Sequence, residues 1–366
     1  ASVFCYRFIP QGFFPDIDYD QLYIEYKLPE GNNSKKVRED LLSITEYLKS
    51  REEITHVTAS VGGTPARYNL VRSMADGGLS YGELIVDYTS SDDLMATKEE
   101  IQTYLTEHYP DAYVRLKRYN LMWESFPIAV QFNGPDPAVL RELTGKALDI
   151  MNTSPVLTLT RSDWENKTPV LVADYNQRMA RNAGLSRQDV GLSLLVVTDG
   201  MPVSSFYEGT DAQTIYLKTV GSDGKPVQSI ENASVFSMMP SLSSLDADML
   251  SGLMAGKYSE EDVLNELMRT TPLSQVTDGL RLVWNDPVVI RENGQRAMRA
   301  QANPVDGIST EDARQTIVEQ IEAIELPTGY TMSWKGEAKA SGEAGDSLFK
   351  TFPIAVILII AILILL

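Results

Sequence analysis

Ser80 lies in Gly78-Leu79-Ser80-Tyr81-Gly82, a match to G-x-S-x-G, the turn that presents a nucleophilic serine between a strand and a helix. Here a glycine-rich stretch precedes the serine and a strand pattern follows it, so the local context for a hydrolase is missing. Asp16, Asp18 and Asp20 begin like a calcium loop. Positions six and twelve of that loop require Gly and Glu, however, and hold Gln21 and Lys27, so the three aspartates read as solvated or capping residues. The two histidines, His56 and His108, have no Cys or second His at ligand spacing, which argues against zinc. Thirteen methionines raise a soft-metal path, but Met249, Met254 and Met268 recur at helical spacing and read as packing. No nucleophile, base and oxyanion donor assemble, so the sequence supplies no catalytic residue, no metal ligand set and no cofactor motif.

The elements that would position a site follow a legible rhythm. Residues 22–28 alternate as a strand, 34–50 carry Val37, Leu41, Leu42, Ile44 and Leu48 at helical spacing behind a Ser34 cap, and 54–61 and 82–88 read as strands. A helix over 97–109 and a strand over 112–119 complete a βαββαβ order, the split βαβ or ferredoxin-like unit. A second copy starts at 127–134 with a helix over 137–153 and strands in VLTLTR and TPVLVADYN. Its missing helix comes only at 309–326, followed by GYTMSWKGE, so a domain is inserted. Within the insert, Met249, Leu250, Leu253 and Met254 share one helical face, as do Val263, Leu264, Leu267 and Met268. With Gly256 between them and a Ser259/Asp262 capping pattern, residues 241–270 predict a helical hairpin.

The stretch 62–82 joins two neighbouring strands and is far longer than a hairpin turn of two to five residues. It combines Gly62, Gly63, Gly77 and Gly78 as hinge candidates with apolar Tyr68, Leu70, Val71, Met74 and Leu79, which predicts a mobile binding loop.

Thirty-two Lys and Arg against 50 Asp and Glu give a formal charge of −18, which disfavours nucleic acid as a partner. Cys5 is the only cysteine, so no internal disulfide framework exists. From Ile354 to Leu366 every residue is aliphatic, 13 in a row, against roughly 20 for a bilayer-crossing helix. This predicts the start of a membrane helix over 348–366, and ASVFCYRFIP predicts the end of another within 1–15, with one large extramembrane loop between them.

Taken in order, RFIPQGFFPDIDYDQLYIEYKLPEG, TPVLVADYNQRMARNAGLSRQDVG, NDPVVIRENGQRAMRAQANP and LPTGYTMSWKGEA resemble the second large periplasmic loop of resistance-nodulation-division (RND) efflux transporters of the AcrB type. The resemblance covers nearly the whole chain. It implies an α/β (α+β) fold of two ferredoxin-like porter subdomains, 16–125 and 126–176 with 286–340, and a docking domain over 177–285. It also implies a homotrimer in the bacterial inner membrane with this segment in the periplasm, working with a periplasmic adaptor and an outer-membrane channel of the TolC type. Protons would drive it through membrane helices outside this chain.

In that family the loop matching 62–81 gates a phenylalanine-lined drug pocket, yet this stretch has no Phe. The resemblance therefore makes Gly62, Gly63, Tyr68, Leu70, Met74, Gly77, Gly78 and Leu79 the gating residues. It makes Leu84, Val114 and Leu116 pocket lining, with amphiphilic small molecules as cargo. The hairpin at 241–270 would enlarge a contact with a partner or neighbouring subunit. Alternative readings are a heavy-metal RND exporter, a tethered periplasmic binding or assembly module, and a hydrolase on Ser80, which would need a His within hydrogen-bond reach.

Overall fold

The computed structural model describes residues 16–365 except 67, 73, 76, 123, 124, 222, 223, 226, 228, 232, 238–246, 260 and 263–269. The first repeat runs β1 (Gln21–Lys27), α1 (Ser34–Lys49), β2 (Ile54–Val61), β3 (Tyr81–Tyr88), α2 (Ser91–His108) and β4 (Tyr113–Lys117). The second begins with β5 (Ile128–Gly134), α3 (Pro137–Thr153) and β6 (Leu157–Ser162). The chain then leaves along β7 (Thr168–Tyr175) through α4 (Gln177–Asn182), α5 (Arg187–Val197), β8 (Met201–Glu208), β9 (Asp211–Leu217), β10 (Ser234–Val235), α6 (Ala247–Met254) and β11 (Thr271–Pro272). It returns by β12 (Thr277–Asn285) to β13 (Arg291–Glu292), β14 (Gln295–Pro304), α7 (Thr310–Glu322), β15 (Thr331–Gly336) and α8 (Glu337–Leu365).

The first repeat is an antiparallel sheet in the order β2-β3-β1-β4, as a split βαβ unit requires. Strand alternation decides its two faces. Leu22, Ile24 and Tyr26 of β1, Leu84 and Val86 of β3, and Val114 and Leu116 of β4 point toward α1 and α2. There they meet Val37, Leu41, Ile44, Leu48, Leu94, Ile101 and Leu105 in one closed core. Each fully buried aliphatic side chain there contributes about 1.5–3 kcal/mol. Helix α1 is capped by Asn33, whose side chain accepts from the Lys35 and Lys36 amides, so the predicted Ser34 cap is displaced by one residue. Helix α2 starts at Ser91, earlier than its apolar pattern suggested, because the Ser90 side chain accepts from the Asp93 amide.

The second repeat reuses the order, with β6-β14-β5-β15 matching β2-β3-β1-β4 and β13 added beyond β14. Its third strand is β14, not TPVLVADY. The expected strand at 168–175 pairs instead with β12, forming the two-stranded stem of the insert. On its helix-facing side β14 carries small Ala300 and Ala302, both fully buried in the core beneath α3 and α7. Trp164, also fully buried, donates Nε1 to the Ala297 carbonyl at 2.7 Å.

By its contacts the chain divides into one compact unit of residues 1–168 with 285–366 and a second of 169–284. The second unit has its own small core of Ala180, Leu185, Val190, Val197, Ala233, Val235, Leu273 and Val276. Helix α6 supplies the first arm of the predicted hairpin. Ser259 and Asp262 form the expected capping pair at 2.8 Å, and residues 263–269 of the second arm lie outside the described residues. The first predicted membrane segment, 1–15, also lies outside them. The other is α8, 29 residues long, apolar enough to cross a membrane and begun at Glu337, well before the predicted 348.

Gly336 joins β15 to α8 at φ +66°, and an added Cβ would sit 2.3 Å from the Pro127 carbonyl oxygen. Gly336→Ala should lower the urea midpoint, with about 1–3 kcal/mol lost to backbone strain alone. Gly145→Ala, in helix α3 with open space around it, should raise it, through roughly 0.5–1 kcal/mol of added stability. Equal midpoints for the two variants would contradict the assignment of Gly336 as a conformational requirement.

A buried charge cluster under the 62–80 loop

The same alternation that sends apolar side chains to the helices sends Tyr23, Glu25, Glu83 and Arg115 to the opposite sheet face. Around these residues the face is closed to solvent. Glu83 is fully buried and Arg115 is 1% exposed. A buried carboxylate is costly without a paired cation, and the loop between β2 and β3 delivers one. Arg72 reaches Glu83 Oε2 at 2.7 Å and Glu25 Oε1 at 3.0 Å through Nη2, with only 3% of its side chain exposed. Its guanidinium carbon lies 4.1 Å from the Tyr23 ring centroid, a cation–π contact. Arg115 completes the cluster, pairing with Glu25 Oε2 at 2.8 Å and donating to the Ser125 carbonyl at 3.0 Å.

Uncharged groups fill the remaining valences of Glu83. Tyr81 donates at 2.7 Å, Thr64 at 2.8 Å and Tyr68 at 3.3 Å. Thr64 in turn accepts the Ala75 amide at 3.0 Å, so both limbs of the loop meet at one carboxylate. Burial works against the charge of Glu25, but Arg115 and Arg72 outweigh it and hold its carboxyl below the usual range. Burial pushes the Tyr81 and Tyr68 phenols well above theirs, so both remain donors. Lys117, next on this face of β4, donates to the Ser125 carbonyl at 2.7 Å. Burial, then the neighbouring Arg115, push its ammonium down to about 7.

The candidate gating residues divide by role. The Gly62 amide donates to the Tyr81 carbonyl at 2.8 Å and the Gly78 amide to the Gly62 carbonyl at 3.0 Å, closing the loop's neck. Gly62 has φ +88°, and a Cβ on Gly77 would stand 2.2 Å from the Gly62 oxygen. Gly77 is thus a close-approach position, while Gly63 and Gly78 have open space. Tyr68 belongs to the charge cluster. Leu70, Met74 and Leu79 project into solvent at 84%, 67% and 66% exposure. Leu84 and Val114, expected as pocket lining, are sealed in the helix-side core, because their strand parity faces α1 and α2. Leu116 shares that core and also reaches a polar cleft.

That cleft, about 620 Å³, lies between the two repeats. Lys98, Gln102 and Leu116 form one wall and Leu159, Asp306 and Ile308 the other. Lys98 spans it to Asp306 at 2.7 Å. The repeats are also joined by Lys27 and Glu165 at 2.5 Å and by Tyr113 donating to the Leu159 carbonyl at 3.2 Å. Ser80 is 1% exposed, so it presents no nucleophile to solvent. His108 stacks on Tyr104, and Asp18 is engaged by Ser91 and Arg118.

Two βαββαβ repeats, the second interrupted by an insert and followed by a long apolar helix, give the fold of RND transporters. A crystal structure of a heavy metal efflux pump shares it with a TM-score of 0.71 at 17% identity, over 97% of this chain and 34% of that one. The profile of the AcrB/AcrD/AcrF family matches residues 1–366, and the chain belongs to that family. It is 22% identical over 380 residues to the toluene efflux pump membrane transporter TtgB of Pseudomonas putida, covering 99% of this chain and 32% of the relative. The same figures hold for the antibiotic efflux pump membrane transporter ArpB of Pseudomonas putida. The chain thus spans about a third of the length of these relatives.

Lys117 gives a pH prediction. A lysine whose folded value lies below its unfolded value binds fewer protons folded than unfolded between the two, so stability rises with pH across that window. The window runs from about 7 to the unfolded value of about 10.4. Urea midpoints of wild type should climb between pH 7 and 9 relative to those of Lys117→Met. Parallel curves would mean that the folded state does not depress the Lys117 ammonium.

Proposed function

We propose that this chain is the periplasmic, cargo-handling part of a proton-driven exporter in the bacterial inner membrane, moving amphiphilic small molecules. The observation that carries the reading is the construction of the 62–80 loop. Buried polar groups fix it on the sheet, and three large apolar side chains stand free at its surface. An apolar surface on an anchored loop is suited to molecules that carry both a greasy body and a polar group. The functions named for the relatives, toluene and antibiotic efflux, support the same cargo class.

On this reading the chain works in a homotrimer with a periplasmic adaptor and an outer-membrane channel of the TolC type. The cleft between the repeats is the place where closure does mechanical work. The test is accumulation of a fluorescent amphiphilic dye in cells carrying the full-length gene. Wild-type cells should exclude dye, and cells with Leu70, Met74 and Leu79 all changed to Ser should accumulate several-fold more at equal expression. If wild-type cells fill like empty-vector cells while resisting a metal salt, metal export replaces this cargo.

A further inference from the structure

Arg72 is bound the way a ligand is bound. Its guanidinium is desolvated, lies against the Tyr23 ring and meets two carboxylates, Glu83 and Glu25. The groups that hold it belong to the sheet, on β1 and β3, whereas Arg72 arrives on a loop that is held separately at its neck and through Thr64 and Tyr68 on Glu83. The charges explain what else fits there. Glu25 keeps Arg115 as a partner at 2.8 Å if Arg72 departs. Among the described residues, Glu83 then keeps only uncharged donors at hydrogen-bond distance, from Tyr81, Thr64 and Tyr68. A neutral or anionic replacement therefore leaves a buried carboxylate without a cation. A planar organic cation restores both the ion pair and the contact with the ring face.

We propose that the cage of Tyr23, Glu25 and Glu83 is a binding site for amidinium- or guanidinium-type organic cations, and that Arg72 is its resident competitor. This rests on the reading of the loop as the cover of a cargo site. Displacement of Arg72 frees the stretch around it while the neck and the Thr64 and Tyr68 contacts to Glu83 stay in place, so ligand binding and release of that stretch are one event.

The test is direct binding of benzamidinium to the purified full chain in detergent, with neutral benzamide as the isosteric control. Benzamidinium should bind wild type weakly and saturably and raise hydrogen exchange in the loop. Arg72→Ala should bind it at least tenfold more tightly, because the competitor is gone. Benzamide should bind neither, and Arg72→Ala combined with Glu83→Gln should lose the gain. Equal affinities of wild type and Arg72→Ala, or equal binding of benzamide, would overturn the proposal. Because Arg72→Ala could fail to fold, Arg72→Gln gives a second reading, and its affinity should also exceed that of wild type. No transport enters the assay, so its failure would leave the export reading to be judged by dye accumulation alone.

Discussion

A carboxylate with no access to water has to be met by a positive charge, and Glu83 is in that position. The demand organises the first repeat. It requires a loop long enough to carry Arg72 back over the sheet and a closed neck that sets where the loop begins. It also calls for a second carboxylate, Glu25, shared with Arg115 so that the cluster is balanced with two charges of each sign. The loop's apolar residues contribute little to holding it down, because Leu70, Met74 and Leu79 are exposed. Anchoring and apolar display are therefore carried by different side chains.

The helix-facing half of this architecture was legible because period two in strands and period 3.6 in helices are local signals. Leu22, Ile24 and Tyr26 announce the core face of β1 without help from anything distant. The other face was not legible. Tyr23 and Glu25 occupy positions that a half-solvated strand would give to water, and the group that covers them is Arg72, 47 residues further on from Glu25. A charged residue on alternate positions of three neighbouring strands, Glu25, Glu83 and Arg115, is the signal that was available. The loop's apolar residues drew attention away from its arginine. The pocket-lining residues missed for the related reason of parity: Leu84 and Val114 share a face with the core, whereas Glu83 and Arg115 beside them face the loop.

The second repeat shows what an insertion does to sequence reading. Its strand order survives, but the third strand is rich in alanine and arginine and announces itself weakly, while TPVLVADY looks like a strand and is one, in another place. The insert itself is thinly packed. In its β8 and β9 hairpin every residue except Met201 is exposed, including Phe206, Tyr207 and Tyr216. A two-stranded ribbon is marginal alone in water. On the polar face of the second repeat, hydrogen bonds from Lys335 and Gln131 hold the Glu292 carboxyl below the usual range. Only Lys335 of the Lys335–Glu292 pair is buried, since Glu292 keeps 31% of its side chain exposed.

The most direct measurement of the central claim is a double-mutant cycle between Arg72 and Glu83, read by urea denaturation of the purified chain. Each single change, Arg72→Met or Glu83→Gln, leaves the buried cluster with one charge in excess and should cost about 3–5 kcal/mol. The double change removes both, and it should recover at least about 2 kcal/mol of the summed loss, since residues in one network couple by roughly 0.5–3 kcal/mol. Additive losses would mean that the two groups do not depend on each other, and the account of the loop as pinned by a buried ion pair would be wrong.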